Sequence, residues 1–401
     1  MKKLFALLAS GAMIFSLLTA CGGSTPPPVE DPAEGDETAA TETIIIGVYE
    51  PLSGDSGAGG KQEMLGMQYA NMLTPTIEVG GVTYAIQLHS ADNGSTTDKA
   101  PSAAGELVSK GVAVVLGSYG SAVSIAASDI FRDAGIPAIG VTCTNPQVTQ
   151  GNDHYFRICF LDPFQGTVQA NLAMEEFGAT TAYCLAELGN DYDVGLATYF
   201  KEAFEAAGGT VIMDNFPTNN ADFSSYLNTA KAQGADVIFA PCSISYATQI
   251  IEQAAALDIG IPLMAGDTWD SNKVVEAAQG KAVEVYVSTF YQEGGNPEFD
   301  AGFKAFLNAD PQMLANNGGN DMIAAVSVMG YDAYYTALEA IKLAASVAPA
   351  DIQAALWNVS FAGVSGNIAF DEIGDAIRDT AYIKTVDTEN NTWVFLKEQG
   401  I

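Results

Sequence analysis

The stretch Ala113-Val114-Val115-Leu116-Gly117-Ser118-Tyr119-Gly120-Ser121-Ala122 reads as a buried strand, a short polar turn and the first residue of a helix. Four consecutive apolar residues, three of them Val or Leu, suit a strand covered on both faces, as in a parallel sheet. The same unit recurs along the chain. Candidate strands are Ile44-Tyr49, Tyr84-His89, Ala113-Leu116, Ala138-Val141, Thr181-Leu185, Thr210-Met213, Val237-Ala240, Leu263-Ala265 and Val283-Ser288. Between them, Met64-Leu73, Ala122-Ala134, Gly195-Ala207 and Tyr246-Leu257 have helical spacing. Strands alternating with helices predict parallel sheets with helices on both faces.

The alternation runs twice, from Ile44 to about Leu161 and from Phe164 to Ser288, which predicts two α/β lobes. The remainder, with helical Phe299-Leu307 and Met322-Ala345 and short strands Asn367-Phe370, Ala381-Thr385 and Trp393-Phe395, has no Pro- or Gly-rich linker before it. It is expected to return to the first lobe and finish on the second. The fold class is therefore α/β, two parallel-sheet lobes joined by a hinge of several crossings. Lobe 1 is expected to comprise residues 44–162 and 290–365, and lobe 2 residues 163–289 and 366–401. Ligands of open α/β sheets sit beyond the carboxyl ends of strands, so the post-strand loops carry the functional reading.

The N-terminal segment has its own logic. Lys2 and Lys3 precede a mostly apolar run, Leu4 to Leu18, that ends in small residues. That pattern describes a secretory signal, not a spanning helix. Leu18-Thr19-Ala20-Cys21 resembles the lipobox of bacterial lipoproteins, which implies a signal over residues 1–20 and a diacylated Cys21. Two acyl chains suffice for stable attachment where one is marginal. An ordinary cleaved signal with an incidental cysteine is the alternative. Residues 21–43 are rich in Gly, Pro, Ser, Thr and acids and read as a flexible acidic tether.

Of 401 residues, 48% are hydrophobic, enough for two compact bodies. Forty-eight acidic against 16 basic residues give a net charge of −32, a field that excludes nucleic acid as a partner. Besides Cys21 there are Cys143, Cys159, Cys184 and Cys242, with no C-x-x-C pair, and the two histidines, His89 and His154, are far apart. No metal site and no cofactor is expected. Buried thiols acting as small apolar residues account for the four body cysteines, with a disulfide left open.

Gly54-Asp55-Ser56-Gly57-Ala58-Gly59-Gly60-Lys61-Gln62 invites a phosphate-loop reading, but Asp55 stands where a glycine is needed and Gln62 where Ser or Thr would ligate magnesium. It is expected to be a flexible strand-to-helix turn. Gly54-Asp55-Ser56-Gly57 matches a serine-protease nucleophile loop only superficially, since no base accompanies it. Ser121 stands at an expected N-cap, and Thr142-Cys143-Thr144-Asn145 follows the next strand. Together they form a set of hydroxyls and amides suited to a carboxylate. From the second lobe, Asn190-Asp191-Tyr192 and Gly266-Asp267-Thr268-Trp269 follow strands. Asp267 reads either as a helix cap or as the counter-charge of a ligand ammonium.

Val48-Tyr49-Glu50-Pro51-Leu52-Ser53-Gly54, Ala91-Asp92-Asn93, Ser121 through Asp129, Gly135-Ile136-Pro137, Thr144-Asn145-Pro146, Asn190-Asp191-Tyr192, Asp222-Phe223-Ser224 and Gly330-Tyr331-Asp332-Ala333 recur in order over nearly the whole body. In these stretches the chain resembles the leucine/isoleucine/valine-type periplasmic binding proteins, the type I clamshell receptors of ABC importers. The resemblance implies that Ser121, Thr142 and Thr144 hold an α-carboxylate, that Tyr192 packs near the ligand and that Asp267 takes the α-ammonium. Tyr119, Ser243 and Trp269 complete the expected ligand-binding set. The family often has Glu at the position of Asp267. Two family aromatics are missing, one near Gly59 and one at Cys242-Ser243, so the side-chain pocket departs from the branched-chain pattern.

The implied function is capture of a small α-amino acid and its delivery to a membrane permease, with no covalent chemistry. The protein is expected to be a monomer outside the cytoplasm, held to the membrane by its lipid. A receptor for an amide, urea or aromatic acid and a sensory ectodomain are the alternatives.

Overall fold

The computed structural model describes residues 42–401. The signal segment, Cys21 and nearly all of the expected tether lie outside the described residues.

Val114–Leu116 is a strand with all three residues buried, because it lies inside a sheet flanked by helices on both faces. The first sheet contains β1 (Glu42–Glu50), β2 (Thr76–Val79), β3 (Val82–Asp92), β4 (Val114–Leu116), β5 (Ala138–Gly140) and β6 (Tyr155–Arg157), in the order β2-β3-β1-β4-β5-β6. All neighbours are parallel except β2 and β3. The second contains β7 (Thr181–Glu187), β8 (Thr210–Phe216), β9 (Val237–Phe239), β10 (Leu263–Ala265) and β11 (Val285–Thr289), all parallel. After a small hairpin, β12 (Ser360–Gly363) with β13 (Gly366–Ala369), the chain adds β14 (Ala381–Asp387) antiparallel to β11 and β15 (Thr392–Gln399) antiparallel to β14 at the sheet edge. The two-sheet α/β architecture read from the alternation is the one observed.

The chain passes between sheets after β6, after β11 and before β14. On the first two crossings, Phe160 and Phe290 pack ring against ring with centroids 4.3 Å apart, so the hinge strands share an apolar contact. The last crossing falls later than expected. Residue 366 lies inside the β12–β13 hairpin, and Phe370 and Asp375 still contact first-lobe residues Phe156 and Arg157. Only at Ala381 does the chain join the second sheet.

The glycine-rich segment after β1 is not the flexible turn expected of it. A helix begins at Gly57 and runs to Leu73, so Gly57, Gly59 and Gly60 occupy its first turns. The reason is close packing. A Cβ on Gly59 would strike the Tyr119 ring, and one on Gly60 the Pro51 carbonyl. The same helix crosses the long helix Ala325–Ala344 at glycines on both sides. A Cβ on Gly66 would meet the Ser327 carbonyl and one on Gly330 the Glu63 carbonyl. That backbone-to-backbone approach carries Glu63 into the interior.

Other motif residues prove structural. Asp92 accepts the backbone N–H groups of Leu52, Ser53 and Gly94 and the Ser53 hydroxyl, which fixes the turn after β1. Asp332 holds the hairpin by accepting from Val364 and Ser365. Cys143, Cys159, Cys184 and Cys242 are buried free thiols, not disulfides. No helix among the described residues is long and apolar enough to cross a membrane.

Candidate functional site

Each lobe presents the carboxyl ends of its parallel strands to the other. From the first lobe come the loop after β4 and the helix Ser121–Asp133, together with the loop after β5. Ser121 is the first helical residue and Gly120 the N-cap, so Ser121 does not cap as expected. Its hydroxyl oxygen instead accepts the Asn145 backbone N–H at 3.2 Å, tying the two post-strand loops together and leaving its own proton free to donate. From the second lobe, Asn190 caps the helix Asp191–Ala206 by accepting from the Tyr192 N–H, and Asp267–Trp269 forms one turn of 3₁₀-helix after β10.

The lobes are closed on one another. The Tyr119 hydroxyl donates to the Thr268 carbonyl at 3.0 Å, and the Asn145 side-chain amide to the Asp191 carbonyl at 2.7 Å. On another side of the cleft, Ser245 donates to Asp55 at 2.8 Å. Between the lobes lies a cavity of about 300 Å³ whose lining includes Tyr119, Ser121, Tyr192, Ser243 and Thr268. Four of the sequence-predicted residues thus meet at one cavity. Tyr119 also accounts for one missing family aromatic, since its ring fills the space that a side chain at Gly59 would occupy.

Thr142, Thr144 and Asp267 are fully buried just behind this lining. Asp267 Oδ1 accepts the Tyr192 hydroxyl at 3.1 Å, while Oδ2 has no partner. The Thr142 hydroxyl is already engaged by Glu63, whereas Thr144 Oγ1 makes no well-formed hydrogen bond. Trp269 does not reach the cavity. It packs in the second-lobe core and donates its indole N–H to the Cys242 carbonyl at 3.1 Å, bracing the turn that carries Asp267.

Sequence reasoning passed over most of the charge here. Glu50, at the end of β1, accepts the Tyr119 N–H at 2.8 Å and lies near Glu63; Asp162 opens the helix Asp162–Phe177. All are fully buried. Burial, then the neighbouring Glu63, drives the Glu50 carboxyl well above its usual range, and burial raises Glu63 as well. Burial likewise pushes Asp162 up to about 8 and Asp267 up to about 7. One buried cation nearby, Arg157, was visible as a lone basic residue in Tyr155-Phe156-Arg157-Ile158-Cys159; another, Lys384, is paired with Asp270 at 3.0 Å. Arg157 is bound to Asp375 and donates to the Cys143 and Asn145 carbonyls, so it shapes the loop and is not free for a ligand.

These shifts have a sign. A carboxyl whose folded pKa exceeds its unfolded value of about 4 holds a proton that the unfolded chain has released. Its contribution is present in full below the unfolded value and is lost as pH rises through the folded one. For Asp162 and Asp267 that window runs from about pH 4 to about pH 8. The ligand-free protein is therefore expected to melt at a lower temperature at pH 8.5 than at pH 5.5, as scanning calorimetry would measure. A flat or rising profile would rule out the ionisation assigned to these groups.

Two facing α/β lobes on a multi-crossing hinge, enclosing a polar cavity between strand ends, define a clamshell built to close on a small molecule. A family model described as periplasmic binding protein matches residues 43–391, and the chain belongs to that family. Leu/Ile/Val-binding protein homolog 1 of Brucella suis is 27% identical over 344 residues, covering 84% of this chain and 88% of its own length. The leucine-binding protein LivK of Thermotoga maritima superposes with a TM-score of 0.79 at 29% identity, over 89% of this chain and 99% of its own. The branched-chain amino acid substrate-binding protein LivJ of Streptococcus pneumoniae, solved with isoleucine, gives 0.76 at 26% identity over 90% and 99%. Family and fold are those of solute-binding proteins.

Proposed function

We propose that this chain is the substrate-binding component of an ABC importer, taking a small α-amino acid between its lobes and presenting it to a membrane permease. The observation that carries the reading is a division of labour across one closed cleft. Ser121 Oγ at the first-lobe wall and the unpartnered Thr144 Oγ1 behind it would serve one end of such a ligand, and Asp267, whose Oδ2 is unpartnered, the other. A zwitterion is costly to bury unless both of its charges are met, and this arrangement offers donors to one end and an acceptor to the other. The Thr142 loop backbone adds to the carboxylate side, and Tyr192 orients Asp267. Ser243 and Tyr119 border the ligand, and Trp269 supports the site from behind. The relatives named for binding leucine, isoleucine or valine agree with an α-amino acid.

Ligand first meets one lobe, and closure then seals it from water and strengthens each polar contact. The closed form would be the one the permease reads. The deciding experiment is isothermal calorimetry of the purified chain against the α-amino acids. Micromolar binding of at least one, about −8 kcal/mol, is expected. Heats at background level for all of them would defeat the reading.

The family places the protein outside the cytoplasm. Attachment to the membrane through Cys21 belongs to the proposal, and it predicts that cells fed labelled palmitate incorporate it into the wild-type protein but not into Cys21→Ser. An unlabelled wild-type band would count against the anchor.

A further inference from the structure

The cavity lining includes four carboxylates and no Lys, Arg or His. Glu187 and Asp193 come from the second lobe, Asp55 and Asp98 from the first. Glu187 ends β7, and Asp193 lies in the first turn of the helix that follows. Asp193 is 1% exposed. Its Oδ2 accepts the Glu187 N–H at 3.1 Å, and its Oδ1, also buried, has no partner.

Closure adds a second tension. The Tyr246 hydroxyl lies 3.1 Å from Glu187 Oε1 and 3.5 Å from Asp55 Oδ2, so one carboxylate from each lobe converges on a single proton. A tyrosine hydroxyl donates to only one acceptor at a time. The closed lobes therefore hold two like charges together beside a third carboxylate oxygen that nothing satisfies. Glu187 and Asp193 are buried there, where a charge is costly unless an opposite charge meets it. An aliphatic side chain entering the cavity would leave that cost in place. An ammonium or guanidinium would remove it and would favour closure, because it bridges carboxylates of both lobes. Among the described residues no group of three or more His, Cys, Asp or Glu is arranged to hold a metal ion, which favours an organic cation. A cavity of about 300 Å³ has room for a long, extended side chain.

We propose that the cleft selects solutes bearing a distal cationic group, held by Glu187 and Asp193 with Asp55 closing over it. In chemical class these are basic amino acids, in place of neutral branched-chain ones. The amino-acid part of this statement rests on the function proposed above; the distal cation rests only on the cavity wall.

Calorimetry of the full chain with L-lysine, L-arginine, L-leucine and agmatine, which keeps the guanidinium but lacks a carboxylate, separates the two. A basic amino acid is expected to bind at least about tenfold more tightly than leucine, and Glu187→Gln with Asp193→Asn to erase that preference. Asp55→Asn, on the other lobe and partly solvent-facing, should shift the preference the same way without risk to folding. Leucine binding as tightly as lysine and arginine, or a preference unchanged in both variants, overturns the inference and leaves the amino-acid reading intact. Agmatine binding without any amino acid binding does the reverse, and binding of none of the four overturns the distal cation, while the amino-acid reading falls only if every α-amino acid gives background heats.

Discussion

Asp267→Asn is expected to weaken amino-acid binding by about 2–5 kcal/mol, roughly thirtyfold to several-thousandfold, the range for removing one partner of a buried charge pair. The substitution preserves volume and the contact with Tyr192, so the loss reports charge and not packing. It should also raise the stability of the ligand-free protein at pH 8. Burial holds the Asp267 carboxyl up at about 7, so above that pH the folded protein carries an ionised group in a site that penalises it. Asparagine removes that penalty. Weaker binding together with a higher melting temperature is a combination that a purely structural aspartate would not give. Calorimetric titration with the bound amino acid, paired with thermal melts at pH 8, reads both. Affinity within twofold of wild type would remove Asp267 from the site.

Arg157→Met should cost about 3–5 kcal/mol of folding stability, the range for breaking a buried ion pair by deleting one partner. Arg157 is fully buried, and its guanidinium meets the Asp375 carboxylate, the Thr149 hydroxyl and the Cys143 and Asn145 carbonyls. Methionine matches the length but leaves Asp375 charged and buried, with two carbonyls unsatisfied. Urea unfolding is expected to show a lower midpoint with an unchanged slope. Adding Asp375→Asn should recover part of the loss, since it removes the stranded charge. A single-variant cost under about 1 kcal/mol would mean that water replaces the guanidinium.

Much of this molecule was legible beforehand. Val114–Leu116 and Val237–Phe239 are short, wholly apolar and bounded by polar turns, which identifies them as interior strands of parallel sheets. Tyr119, Ser121, Tyr192 and Ser243 follow strands, and in an open α/β sheet that position tends to bring a residue to the cleft, where these four line the cavity. Trp269 has the same local position but points the other way, because its indole N–H finds the Cys242 carbonyl in the core. The glycines from Gly57 to Gly60 were misread as a loop. Local propensity disfavours glycine in a helix, and the contacts that reward it there, with Tyr119 and Pro51, come from elsewhere in the chain.

The sequence by itself determined the alternation of strands and helices, and with it two lobes and the loops that face each other. These follow from periodicities of a few residues, which any local segment displays. Only the tertiary structure decided the electrostatics of the cleft. It set Glu63 against Thr142, 79 positions away, Arg157 against Asp375, 218 positions away, and Asp55 near Glu187 around one tyrosine hydroxyl. A carboxylate's behaviour depends on what water it has lost and which charges surround it, and both are properties of the packed molecule. In a chain with 48 acidic residues, no local pattern separates the few that fold into the interior from the many that stay in solvent.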